Sequence, residues 1–286
     1  MADSRAASRY VKSLLDLAVE VAQRGILRLV DAANTYCRFD DSRRFLQLAP
    51  LTFDAATFEI WGALLNGGCC VIYPHEGLPD PQQLARLLKD EHITTLWLTA
   101  SLFNWLIDSE ALIGVPVEEL LAGGEALSPA HVRRAQQQLP HTQLINGYGP
   151  TETTTFACCY RIPTPLPGDC ASIPIGYPLL ATTLLVLDEN GRAVAAGEEG
   201  ELFIGGAGVA LGYRNLPEQT AARFVMVDGQ RTYATGDRVV VNVYGAIEYR
   251  GRTDDQVKIS GYRIELGEIN HAHSGHPDVR DAATLV

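Results

Sequence analysis

Apolar positions along the chain fall into two alternating kinds of run. Short continuous ones, at residues 45–49, 69–73, 94–98 and 143–145, have the length and flanks of strands. Between them lie stretches with apolar residues at helical spacing. Residues 58–65 form one, ended by Asn66-Gly67-Gly68, where glycine takes the left-handed conformation that closes a helix. Residues 81–90 and 130–138 predict two more. Each is opened by a capping side chain and then proline at the first helical position, Asp80-Pro81 and Ser128-Pro129. Strands and helices alternating in this way predict α/β layers around a largely parallel sheet, with residues 69–73 as a buried strand. Ahead of them, Tyr10, Leu14, Leu17, Ala18 and Val21 predict an amphipathic helix over residues 8–23, with Gly25 interrupting the pattern.

The pattern changes near residue 160. Pro163, Pro165, Pro167 and Gly168 mark a linker. Residues 183–187 and 200–204 then read as strands with an Asn190-Gly191 hairpin signal between them, and 239–243 and 246–249 as a second strand–turn–strand. Residues 161–250 are expected to form a small, mostly antiparallel, barrel-like β unit. After residue 250 come a strand at 257–259, a turn at Gly261 and a short helix over 265–273. The expected division is an N-terminal helix at 1–23, an α/β part at 24–160, a β-rich part at 161–250 and the start of another unit at 251–286.

Composition narrows the function classes. Of 286 residues 47% are hydrophobic, and the net charge is −11. That balance argues against nonspecific nucleic-acid binding, which needs a basic surface, but leaves room for a local nucleotide site. No apolar run reaches the ~18 residues of a membrane span. The first residues lack the pattern of a secretory signal, so the expected location is cytoplasmic. The six cysteines, including the adjacent pairs Cys69-Cys70 and Cys158-Cys159, show no zinc spacing and are expected to be buried free thiols.

The chemistry concentrates at residues 144–156, LINGYGPTETTTF. An apolar dipeptide enters a glycine-rich turn that carries threonine hydroxyls and one carboxylate. Exposed backbone N–H groups and hydroxyls of this kind suit a phosphate. Tyr148 offers a flat face to a purine, and Glu152 offers oxygens to Mg²⁺. The glycines at 205, 206, 208 and 212 invite comparison with a dinucleotide loop, but their run enters no helix, which that fingerprint requires. Tight turns beside the site are the better reading.

Six segments carry a resemblance when taken in order. They are residues 48–61 (LAPLTFDAATFEIW), 120–129 (LLAGGEALSP), 146–154 (NGYGPTETT), 200–223 (GELFIGGAGVALGYRNLPEQTAAR), 233–237 (YATGD) and 251–268 (GRTDDQVKISGYRIELGE). With them the chain resembles, over residues 24–286, the amino-acid adenylation domains of nonribosomal peptide synthetases, in the adenylate-forming acyl-CoA synthetase/luciferase superfamily. The resemblance implies a partial adenylate-forming α/β fold: a layered α/β subdomain, a small β-barrel-like subdomain and the start of a C-terminal subdomain. It also implies an ATP-dependent ligase that uses Mg²⁺ and loads the phosphopantetheine of a peptidyl carrier domain, with neither nucleic acid nor membrane as a partner.

The same resemblance implies residue roles. Tyr148 stacks on adenine, with Gly124, Glu125 and Ala126 along the base edge and Asn146, Gly147 and Gly149 in the same nucleotide site. Thr151 touches the α-phosphate and Glu152 holds Mg²⁺. Asp237 accepts the ribose hydroxyls, with Tyr249 and Arg252 completing that end. Asp254 is the hinge, and Lys258 belongs to the small domain that turns in for thioester formation. Asp54 pairs with the substrate's α-ammonium, where outside this motif a helix N-cap would be the ordinary reading. Ala55, Phe58, Trp97, Leu121, Gly123, Gly147, Thr155 and Phe156 line a narrow, uncharged pocket that resembles those of valine-activating domains. A complete domain of this kind extends beyond both ends of the chain. By itself the chain is expected to be weakly active or inactive. Two alternatives stay open: a non-catalytic module that binds a nucleotide or partner, and a CoA ligase for another carboxylic acid, against which Asp54 argues.

Overall fold

The computed structural model describes residues 18–74, 77 and 79–254, and the backbone alone at 256–259 and 262–265. The first described elements are a short strand, β1 (Val19–Glu20), and a helix, α1 (Gln23–Leu29). The helix expected over 8–23 lies outside the described residues up to position 17. Its last part is extended instead, with Val19 paired to Tyr213. Gly25 lies inside α1. A Cβ there would come within 2.6 Å of Thr154 Oγ1, so glycine serves close approach between helix and turn rather than helix breaking.

A seven-stranded sheet follows, built from β2 (Arg44–Gln47), β3 (Cys69–Ile72), β4 (Thr95–Thr99), β5 (Glu119–Gly123), β6 (Gln143–Tyr148), β7 (Cys158–Arg161) and β8 (Tyr177–Pro178). Its order is β3-β2-β4-β5-β6-β7-β8. The strands from β3 to β6 are parallel, and β7 and β8 join antiparallel. The sheet thus continues past residue 160, where the change of unit was expected. Four helices connect the parallel strands: α2 (Ala55–Leu64), α3 (Pro81–Asp90), α4 (Ala100–Asp108) and α5 (Pro129–Gln138). The two proline-led starts behave as their sequence predicts, with Asp80 accepting from Gln83 N–H at 2.9 Å and Ser128 from His131 N–H at 3.4 Å.

Alternation along the strands sorts side chains onto the two faces. Leu46, Leu96, Leu98, Leu120 and Leu144 point to the face covered by α3, α4 and α5. Phe45, Trp97, Leu121 and Ile145 point to the face covered by α1 and α2. Burying each of these large side chains contributes about 1.5–3 kcal/mol. β3 departs from its expected burial: it is an edge strand, and Ile72 is 71% exposed. The cysteines are free. Cys37, Cys158 and Cys159 are buried, while Cys69, Cys70 and Cys170 are only half-buried.

The second sheet is antiparallel. It holds β9 (Thr182–Leu187) and β10 (Glu199–Gly206) and, after the small strand β11 (Gly212–Tyr213) and helix α6 (Pro217–Arg223), β12 (Phe224–Val227), β13 (Gln230–Val241) and β14 (Ile247–Arg252). The order is β12-β13-β10-β9, with β14 also on β13. The Asn190-Gly191 turn is present, and Gly191 N–H donates to Asp188 O at 3.0 Å. It leads first to a stub in which Ala193 pairs with Leu187, while β10 lies along the other side of β9. The backbone hairpin of β15 (Gln256–Ile259) and β16 (Tyr262–Glu265) follows. The helix expected over 265–273 reaches outside the described residues. Among the described residues no helix is long and apolar enough to cross a membrane.

Candidate active site

The carboxyl ends of β4, β5 and β6 open into one cleft of about 250 Å³, where ligands of open α/β sheets commonly sit. Thr99, Gly124, Gly147 and Gly149 line it from this sheet, and Asp54 and Ala55 from the start of α2. Thr235, Asp237 and Arg252 reach it from the second sheet. Close approach of backbones makes this possible: a Cβ on Gly123 would lie 2.0 Å from the carbonyl oxygen of Gly147 on the neighbouring strand.

Asp237 is on β13 rather than in a turn. The preceding Gly236 takes φ +73°, and the pairing of β10 with β13 shifts between Glu201 and Phe203. The Asp237 carboxylate accepts from the Tyr148 hydroxyl and from Arg252 Nη1, the latter at 2.5 Å. Arg252 also grips Asp254 through Nε at 2.7 Å and Nη2 at 3.0 Å, and Arg223 adds a third contact to Asp254 at 3.3 Å. Burial first, and the Asp237 charge second, push the Tyr148 phenol well above its ordinary pKa, so it remains a donor. Tyr249 is raised by the same two causes. The Tyr148 ring packs among Cys158, Ile175, Leu202 and Val239. Tyr148 is 9% exposed, and its hydroxyl meets Asp237, which lines the cleft.

Asp54 precedes α2 in helical geometry, φ −65° and ψ −23°, and its side chain caps no backbone N–H. Its carboxylate lines the cleft and accepts the Thr151 hydroxyl at 2.8 Å, while Thr155 Oγ1 donates to its carbonyl at 2.9 Å. Ala55, Trp97, Gly147, Thr155 and Phe156 line the cleft as expected. Phe58, Leu121 and Gly123 do not. Phe58 stands behind Phe156, with ring centroids 5.4 Å apart, and Leu121 is fully buried in the same core. These three shape the wall from behind. One turn into α2, Glu59 accepts from the N–H groups of Leu48 and Ala49 at 3.1 and 3.0 Å, which fixes the segment leading to Asp54. Burial pushes its carboxyl up to about 8 against those two bonds.

The remaining expected residues separate into groups. Glu125 accepts from Ser101 Oγ at 3.0 Å, and Ala126 is exposed. Asn146 is buried and donates to Pro174 O at 2.8 Å, away from the cleft. Lys258 falls on β15, and its side chain lies outside the described residues. Glu152 is 1% exposed and does not line the cleft. Its Oε1 accepts from the hydroxyls of Tyr213 at 2.6 Å and Tyr233 at 2.9 Å. A carboxylate held this way does not fit a metal seat, so no step is assigned to Mg²⁺ at Glu152. A nucleoside fits better: the Asp237 oxygens suit vicinal hydroxyls, and the Thr151 hydroxyl beside Gly149 suits a phosphate.

The turn after β6 carries the strain of the site. Thr154 and Thr155 take φ +59° and +64°, a left-handed conformation that branched side chains avoid at a cost of about 1–3 kcal/mol each. Their neighbours explain its persistence. Thr154 Oγ1 donates to Gly208 O at 2.7 Å, and Ala157 N–H returns to Tyr148 O at 2.8 Å. The sequence reading missed Thr52, Phe53, Thr99, Pro150 and Thr235 in the lining. It also missed Tyr213, Tyr233 and the buried Arg28. The tyrosines lie within the quoted motifs, but a lone arginine on a seven-residue helix carries no signal.

Comparison with known proteins agrees with this geometry. The profile of the family described as AMP-binding enzyme matches residues 18–214. One component of the linear gramicidin synthase of Brevibacillus parabrevis is 50% identical over 273 residues, which cover 94% of this chain and 4% of that protein. Surfactin synthase subunit 2 of Bacillus subtilis (strain 168) is 42% identical over 271 residues, 94% of this chain and 8% of that protein. Among solved structures, holo-PA1221, a nonribosomal peptide synthetase protein containing adenylation and PCP domains bound to a vinylsulfonamide inhibitor, superposes with TM-score 0.85 and 44% identity. That match covers 92% of this chain and 46% of that one. An artificially fused adenylation–PCP di-domain, NpsA-ThdA from Klebsiella oxytoca, gives TM-score 0.83 and 34% identity over 94% of this chain and 51% of that one. The chain therefore spans less than a tenth of these two synthetases and about half of the two solved chains. With the family profile running over most of the chain and such identities sustained along it, this protein belongs to the AMP-binding enzyme family, among its nonribosomal peptide synthetase adenylation domains.

Proposed function

We propose that the cleft activates an amino acid with ATP, forming aminoacyl-AMP and pyrophosphate, and that the aminoacyl group passes to a phosphopantetheinyl carrier domain during nonribosomal peptide synthesis. The observation that carries this reading is Asp54, a carboxylate at a helix start that lines the cleft instead of capping the helix. There it suits an α-ammonium, while Asp237, across the cleft on the second sheet, suits the ribose. The substrate carboxylate then lies between them, placed for in-line attack on the α-phosphorus with pyrophosphate leaving. Trp97 and Phe156 wall the side-chain pocket, and Gly147 leaves room between them. With no charge in that wall, valine is the substrate we assign. The adenylation and PCP domains joined in the solved relatives support a carrier partner. A CoA ligase for an uncharged acid is the second reading, and Asp54 stands against it.

Pyrophosphate exchange by the full-length protein across the amino acids tests the proposal. Valine should give the highest kcat/KM and isoleucine a lower one, within the roughly 10–200-fold that one methylene is worth. Asp54→Ala should cut amino-acid-dependent exchange by about 10²-fold or more while ATP binding persists. Preference for a charged or aromatic amino acid would remove the pocket assignment. An equal loss of ATP affinity would make Asp54 a structural residue.

A further inference from the structure

Arg28 is 4% exposed, and its guanidinium meets oxygens from a distant part of the chain. Nη2 donates to three backbone carbonyls of one turn, those of Thr153 and Thr154 at 3.1 Å and Phe156 at 2.8 Å. Nη1 donates to Thr182 Oγ1 at 2.8 Å. None of these partners is a carboxylate, and burial lowers the pKa of the guanidinium. A buried cation held by carbonyls and a hydroxyl is costly and persists where the geometry over-determines it. Here the left-handed Thr154 and Thr155 aim their neighbouring carbonyls at one point. Without a donor at that point, these oxygens would be stranded in a dry interior. The cation and the strained turn each account for the other.

The fit around them is close. A Cβ on Gly208 would fall 2.7 Å from Thr153 O and 2.8 Å from Arg28 Cζ, and one on Gly25 would meet Thr154 Oγ1. Beyond the turn, Thr155 Oγ1 holds the Asp54 carbonyl, Thr151 Oγ1 holds its carboxylate, and the Phe156 ring walls the cleft. The nucleoside half is anchored differently, through Asp237 and Arg252 on β13 and β14.

We propose that Arg28 is a positioning residue for the amino-acid half of the cleft: its guanidinium clamps the 153–156 turn and so sets Asp54 and Phe156 against the substrate. This rests on the amino-acid adenylation reading above. Lysine does not replace it, because a single ammonium lacks the planar fork that serves the carbonyls and Thr182 together.

The test uses Arg28→Lys in the full-length protein, read in two ways. In pyrophosphate exchange, the KM for the amino acid should rise about tenfold or more, and clearly more than that for ATP, which would meet this segment only through Thr151. Hydrogen exchange of the segment 150–157 should accelerate about tenfold or more relative to β4 and β5. If both KM values rise together, or neither moves in a folded variant, the proposal is overturned. If Arg28→Lys fails to fold, Thr182→Val removes the Nη1 anchor together with only one long bond, from Thr182 Oγ1 to Leu180 O at 3.4 Å. It should raise only the amino-acid KM, by about two- to fivefold, and an equal change for ATP overturns the idea. If wild-type protein shows no amino-acid-dependent exchange, the functional reading falls by itself. Unchanged protection of residues 150–157 in Arg28→Lys would then sink the clamp separately.

Discussion

The seven-stranded sheet has carboxylates at both ends and handles them in opposite ways. Where β5 begins, Glu119 is 3% exposed. It accepts from Arg161 Nη1 at 2.8 Å, Arg43 Nη2 at 3.2 Å, the Arg38 N–H at 2.8 Å and the Cys37 thiol at 3.2 Å. Glu118 beside it takes the other arm of Arg43 at 2.5 Å. Where β4, β5 and β6 finish, Asp54 and Asp237 line a cleft instead. Asp54 is met by a threonine hydroxyl, and Asp237 by a phenol and one guanidinium. Glu119 ties elements together, and so does Asp237, which is 5% exposed and bonded through both oxygens but also borders the cleft. A carboxylate that lines a cleft faces the space a ligand enters. The cleft end also holds the two left-handed threonines. Both ends thus hold paired charge, but at the cleft end a carboxylate pair and two left-handed threonines border an open space.

The hardest way to break this contrast is Glu119→Ala. Removing one member of a buried ion network leaves the guanidinium of Arg43, 2% exposed in its side chain, short of a partner, and should cost about 3–5 kcal/mol in denaturant unfolding. The amino-acid and ATP KM values of the protein that still folds should stay as in wild type. A specific KM change would show that the two ends are coupled. The pH dependence has a definite sign. Burial works to raise the Glu119 carboxyl, but the bonds from Arg38 N–H, Arg161 and Cys37 outweigh it and hold it below the ordinary value. Its stabilisation is thus present above the ordinary carboxylate range and lost as pH falls through the lowered pKa.

Asp237→Asn probes the cleft end and should give a smaller, differently placed effect. Arg252 keeps Asp254 as a partner, so stability should change little. ATP affinity should fall by about 10–100-fold, or roughly 1.4–2.7 kcal/mol. Calorimetry with ATP and a thermal melt separate the two. A large loss of stability with unchanged ATP affinity would place Asp237 with Glu119.

Glu59 sharpens the contrast with the smallest expected change. It is buried near the cleft, held by two backbone N–H donors, and its carboxyl rises to about 8. A raised acid stabilises the fold fully below its unfolded pKa, and that contribution is lost as pH rises through the folded one. Between pH 6 and pH 7 wild type should lose about 1.4 kcal/mol relative to Glu59→Gln, which keeps an acceptor but does not titrate. Unfolding at the two pH values checks this. Parallel slopes would mean that Glu59 is ionised in the fold after all, as Glu119 is.

Legibility of the fold and site followed the distance over which each cause acts. The Asp80-Pro81 and Ser128-Pro129 starts were readable because cap and helix lie within three residues of each other. The parallel strands were readable from runs bounded by turn residues. The edge position of β3 was not, since burial depends on what lies beside a strand and not on its own side chains. Among the residues that line the cleft, Asp54, Thr151 and Asp237 lie in motifs visible along the chain. The reversal of Glu152 into a pair of tyrosines was not visible there. Those hydroxyls arrive from 61 and 81 residues away.

By itself the sequence determined the alternation of layers, the helix starts, the glycine turn after β6 and the membership of the family. Each is written in neighbouring residues, or in motifs whose order survives without coordinates. Only the tertiary structure decided that Gly25 serves close approach, that Glu119 is spent on arginines, and that Arg28 lies beneath the 153–156 turn. Arg28 and the Phe156 carbonyl are 128 positions apart. A contact of that separation leaves no periodicity and no spacing to read, because it exists only once two sheets and a helix have packed.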